Sequence, residues 1–126
     1  MSVELPAADL AEMEAFATTL AWHSGEILWE LFPKPLKDSV DLNVRFKDSD
    51  EKDPVTRADN EVQDYLVSKI NAMYPDHGVL GEEGEIEDQV VPDVLWVLDP
   101  LDGTRNFMYG FPAFACSIGI LHKGIP

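Results

Sequence analysis

The run Val94-Leu95-Trp96-Val97-Leu98 constrains this chain more than any other stretch. Five consecutive apolar residues rich in β-branched and aromatic side chains predict a strand buried on both faces. The run stops at Asp99, and Asp99-Pro100-Leu101-Asp102-Gly103-Thr104-Arg105-Asn106-Phe107 follows. Two carboxylates three residues apart at a strand end come close at the edge of the core, and they repel unless a cation sits between them. Pro100 fixes its own φ and has no N–H, which stiffens the turn and lets carbonyls around Leu101 point outward as oxygen ligands. Gly103 allows the backbone to approach a ligand closely. Thr104 stands where a helix could start, with free N–H groups suited to an anion. Taken together, these residues read as a site for a hard cation and a phosphate. Asp-Pro and Asp-Gly are also ordinary turn punctuation, and either pair alone means no more than that. An EF-hand loop is ruled out, because Leu98 and Pro100 occupy two places where it wants acids.

Elsewhere the spacing predicts two long helices. From Ala7 to Leu31, Leu10, Met13, Phe16, Leu20, Ile27, Leu28 and Leu31 form one stripe, closed by Pro33 and Pro35. His23 reads as a surface residue. Lys37 to Asp53 is polar, with a short strand expected around Asn43–Lys47 and an exposed charged loop after it. Thr56 and Asp59 fit a capping box that opens a helix with Ala58, Val62, Tyr65, Leu66, Ile70 and Met73 at core spacing. Capping explains both residues, but not Asp53. After a turn at Pro75–Gly78, Val79-Leu80 is a short strand running into Gly81-Glu82-Glu83-Gly84, and residues 85–93 read as an acidic surface loop. Ala113 to Leu121 alternates as a strand, placing Phe114, Cys116, Ile118 and Ile120 on one face. Cys116 there is a small buried hydrophobe, and His122-Lys123-Gly124 a hairpin turn.

The string from Asp99 to Phe107 resembles the signature Asp-Pro-Ile/Leu-Asp-Gly-Thr-x-Asn-Phe of the inositol monophosphatase family. Asp53-Pro54-Val55-Thr56 resembles that family's Asp-x-Val-Thr segment, and Gly81-Glu82-Glu83 its Gly-Glu-Glu turn. The resemblance implies an α+β fold: the N-terminal half of a layered α/β sandwich, with two long helices on a largely antiparallel sheet. Residues 1–126 would be its metal-binding N-terminal domain, and the C-terminal domain, which supplies a further metal-binding Asp, lies outside this chain. It implies magnesium held by Glu82, Asp99, Asp102 and the Leu101 carbonyl. Asp53 and Thr104 would orient and deprotonate the attacking water, while Gly103 and Thr104 N–H groups hold the phosphate. Glu83, next to Glu82, ranks lower. The substrate is a small phosphate ester, inositol monophosphate first; fructose-1,6-bisphosphate, histidinol phosphate and phosphoadenosine phosphate are the substrates of relatives. A homodimer is implied as well. The competing expectation is an inactive acidic metal-binding module.

Net charge bears directly on that reading. Twenty-four acidic against 9 basic residues give −15, which argues against nucleic acid and anionic membranes as partners. It also sets a negative site against a negative ester, a conflict that divalent cations resolve. One cysteine excludes an intrachain disulfide and suits a reducing compartment. No apolar run is long enough to span a bilayer and the N-terminus lacks signal-peptide features, so the expected location is cytoplasmic.

Overall fold

A computed structural model of the chain describes residues 5–33, 45–46, 54–81 and 92–126. In chain order the elements are α1 (Ala7–Leu31), β1 (Arg45–Phe46), β2 (Pro54–Val55), α2 (Arg57–Met73), β3 (Gly78–Gly81), β4 (Val94–Asp102), α3 (Thr104–Met108) and β5 (Ala115–His122). Two long helices on one sheet is the expected arrangement.

α1 follows its predicted bounds. It buries Met13, Leu20, Ser24, Leu28 and Leu31, whereas Leu10, at the same spacing, is 49% exposed and lines the open cleft between α1 and β5. Pro33 ends the helix by forcing the residue before it out of the helical region, and Phe32 is accordingly extended at φ −65°, ψ 130°. α2 starts on the anticipated capping box: the Asp59 amide donates to Thr56 Oγ1, and Asp59 Oδ2 accepts from the Thr56 amide at 2.9 Å. Its buried stripe is Ala58, Val62, Leu66 and Ile70, four residues apart as a single helix face demands.

The main sheet has the order β3-β4-β5. β3 pairs with β4 in parallel, Gly78 opposite Leu95 and Gly81 opposite Leu98. β5 pairs with β4 antiparallel, Trp96 opposite Ile120 and Asp99 opposite Ser117. The sheet is therefore mixed, with β4 central as its apolar run foretold. β1 and β2 form a separate antiparallel pair, where a short strand was expected near Arg45. Trp96, Leu98 and Leu101 join Val62, Leu66, Ile70, Leu20 and Leu28 in one core. Each fully buried side chain of this size contributes about 2 kcal/mol from area removed from water. Trp96 is wholly buried, and its polar edge is satisfied because Nε1 donates to His77 Nδ1 at 3.0 Å.

The β5 alternation is as read from sequence, with Cys116, Ile118 and Ile120 inward. Beyond it, Lys123 (φ 52°) and Gly124 (φ 82°) both have positive φ, the requirement of a type I′ hairpin turn. His122 and Ile125 exchange both backbone hydrogen bonds across this turn. Among the described residues no helix is long and apolar enough to cross a membrane.

Candidate metal and phosphate site

β4 does not stop at Asp99 but continues through Asp102. On a regular strand, residues three apart point to opposite faces. Here the register slips: Asp99 faces Ser117 and Asp102 faces Ala115, three residues on β4 against two on β5. Paired residues share a face, and Ser117 and Ala115 lie two apart. The extra residue, a β-bulge in effect, thus brings Asp99 and Asp102 to the same side of the sheet. Asp99 is half-buried with Oδ1 out of contact with solvent. Asp102 is exposed and borders a cleft of about 1060 Å³ between α1 and β5.

Gly103 follows in the left-handed region at φ 90°. A Cβ there would lie 2.7 Å from the Ala113 carbonyl oxygen and 3.2 Å from Phe114 Cα. The close approach that needs glycine is thus to the chain's own backbone. Gly103 caps the N-terminus of α3, and Thr104 is the helix's first residue. Phe107, fully buried, anchors α3 by packing edge-on against Phe32 and Phe114. Asn106 Nδ2 donates to the Ala113 carbonyl at 2.9 Å, fixing the connector to β5.

The Thr104 hydroxyl lies 3.1 Å from Asp59 Oδ1 and 3.1 Å from the Leu101 carbonyl. Leu101 itself is buried in the core, so its side chain holds down the strand end whose carbonyl meets Thr104. Asp59 was accounted for by capping alone; its second carboxylate oxygen reaches the site across 45 residues of sequence. No local signal carries that link. Asp53 and Glu82, assigned by resemblance to water orientation and metal binding, lie outside the described residues.

Cys116, across from this turn, is a half-buried thiol. Burial pushes its pKa up, the Ser24 hydroxyl beside it pulls the other way, and the Asp99 charge adds to the rise. It is held neutral, as a small apolar filler rather than a nucleophile. His23 lies at the surface, 3.8 Å from Glu26 and edge-on to Tyr65.

The donors offered to a cation are two carboxylates and a peptide carbonyl, all hard oxygens of the kind magnesium selects. In kind, the residues fit that ion. Among the described residues no three acidic, histidine or cysteine side chains meet around one point.

The model of the inositol monophosphatase family matches residues 9–126. Inositol monophosphatase 1 of Sus scrofa is 40% identical over 114 residues, covering 87% of this chain and 39% of its own length. Nus factor SuhB of Vibrio cholerae is 40% identical over 91 residues, 72% of this chain and 33% of that protein. In three dimensions the chain superposes on an inositol monophosphatase from Thermotoga maritima with a TM-score of 0.73 and 32% identity, covering 90% of this chain and 41% of that one. The chain spans about two fifths of the length of the relatives it matches. With the helices, the mixed sheet and the Asp99–Phe107 string all accounted for, the chain belongs to the inositol monophosphatase family.

Proposed function

We propose that the protein containing this chain is a magnesium-dependent phosphate monoester hydrolase, with inositol monophosphate as its leading substrate. The observation that carries the reading is the register slip in β4, which sets Asp99 and Asp102 on one side of the sheet, with the Leu101 carbonyl between them 3.1 Å from the Thr104 hydroxyl. Carboxylates on one side of a strand end suit a divalent cation, which offsets their like charge. Asp99, Asp102, the Leu101 carbonyl and, by resemblance, Glu82 would hold magnesium. Bound there, the metal supplies positive charge that draws in the ester and makes a water more acidic. Gly103 and Thr104 open α3 with backbone N–H groups that suit the phosphate oxygens. The Thr104 hydroxyl orients the attacking water, with Asp53 assigned by resemblance as the partner carboxylate.

The name of the Sus scrofa relative supports inositol monophosphate, while the likeness to a Nus factor of Vibrio cholerae keeps other small esters in the substrate panel. A single cysteine suits the cytoplasm, and the family resemblance favours a homodimer.

The test is phosphate release by the full-length protein against that panel, with and without magnesium. Inositol monophosphate should be turned over only with the metal, and Asp99→Asn should abolish turnover. Wild-type rates in that variant would refute the metal assignment. The second reading is an inactive acidic metal-binding module, in keeping with the net charge of −15. Magnesium binding without phosphate release by the full-length protein would favour it.

A further inference from the structure

Gly81 ends β3, and Glu82 is the next residue. Its φ lies outside the left-handed region, so backbone conformation does not explain the glycine. Space does. A Cβ on Gly81 would lie 2.5 Å from Gln63 Oε1, 2.8 Å from Gln63 Cδ and 3.3 Å from Gln63 Nε2. The carboxamide of Gln63 is therefore packed on the Gly81 backbone, closer than any side chain there would allow.

Gln63 has a firm base. It stands on α2 between Val62 and Leu66, both wholly buried, so the helix beneath it is fixed by the core. Gly81 pairs with Leu98, and β3 and β4 run parallel. Both strands thus head for the same edge of the sheet, and the residues that follow this pair are Glu82 and Asp99. We propose that Gln63 is a positioning residue for the metal site: its carboxamide, packed on Gly81, fixes the end of β3 from which Glu82 is delivered to the cation. This rests on the phosphatase reading above and on Glu82 as assigned by resemblance. Being uncharged, the amide adds nothing to the repulsion among the carboxylates. Gln63 is not itself a ligand; it acts through Gly81.

Calorimetric titration of the full-length protein with magnesium, in the absence of any ester, is the test. Gln63→Ala should weaken magnesium binding by about 10-fold, as losing a residue that orients a metal ligand does. Gly81→Ala, whose Cβ displaces the carboxamide, should weaken it to a similar extent. In the Gly81→Ala background, Gln63→Ala should cost less than about twofold more, because both changes break one contact. In the metal-free protein, deuterium exchange at the Gly81 and Glu82 amides should be about 10-fold faster in Gln63→Ala than in the wild type. A side chain that only packed α2 against the sheet would lower the urea midpoint when removed and leave magnesium affinity as it was.

Wild-type magnesium affinity in either folded single variant overturns the proposal, as do independent losses in the double variant. If the wild type binds magnesium but releases no phosphate from any ester, the phosphatase reading fails by itself, and the titrations still decide the role of Gln63. If it binds no magnesium, the metal assignment fails, and the exchange rates decide the contact: faster exchange in Gln63→Ala upholds the hold on β3, and equal rates overturn it.

Discussion

Gly103 shows how one residue serves the site through the backbone rather than through a side chain. Its φ of 90° is strained for any residue with a Cβ, and that Cβ would meet the Ala113 carbonyl oxygen at 2.7 Å. Backbone oxygen cannot swing aside as a flexible side chain can. Holding a non-glycine residue in such a conformation costs about 1–3 kcal/mol, and the contact adds to it. Gly103→Ala should therefore lower the unfolding free energy by about 2 kcal/mol or more, read from the urea midpoint at constant slope. A change below about 0.5 kcal/mol would show that the turn relaxes freely. The glycine was legible in the sequence as a point of close approach, but its neighbour was not. Ala113 is ten residues further along, and only the return of the chain into β5 brings its carbonyl there.

At the level of elements, the joint between β4, β3 and the helices carries a titratable group. His77, just before β3, accepts the Trp96 indole N–H through Nδ1 and stacks on Tyr74 at 4.5 Å. Tyr74 in turn packs edge-on against Phe16 of α1 and donates to Glu12. Burial holds the His77 pKa below its ordinary 6.5, with the nearby Asp76 charge opposing. Protonation would set an N–H against an N–H and break the bond to Trp96. The sign follows from linkage: a depressed folded pKa means the unfolded chain binds the proton first. The contribution of neutral His77 is complete above pH 6.5 and is lost as pH falls through the lower folded value. Urea unfolding followed by tryptophan fluorescence should show stability dropping as the pH falls below 6.5. His77→Gln, which keeps an acceptor but does not titrate, should flatten that slope; an equal slope in both proteins would place its origin elsewhere. The sequence marked this segment only as a turn, since stacking between Tyr74, His77 and Trp96 depends on how β3 and β4 pair.

For the molecule as a whole, what matters is how far the chain's own residues can go toward the proposed chemistry. Asp102 borders the cleft between α1 and β5, and the chain spans 39% of the length of the Sus scrofa relative. The family resemblance assigns a further metal-binding Asp to the C-terminal domain of family chains. We therefore expect the 126-residue chain alone to release phosphate at under about 1% of the full-length rate, since losing a ligand of a charge-stabilising cation costs several kcal/mol in the transition state. Comparable rates from the two proteins would mean that the described half holds a complete site.

What the sequence determined by itself is what short range can encode. Periodicity set α1 and the α2 stripe, Thr56 and Asp59 set a helix start, Pro33 set a stop, and an unbroken apolar run set a central strand. Each depends on residues within about a turn or two of one another. Only the tertiary structure decided that Asp99 and Asp102 share a side, because that turns on a one-residue slip against β5. It alone decided that the cap of α2 reaches Thr104, a contact between elements 45 residues apart. Register and long-range hydrogen bonds are settled by how packed surfaces meet, and no local pattern of residue types records the outcome.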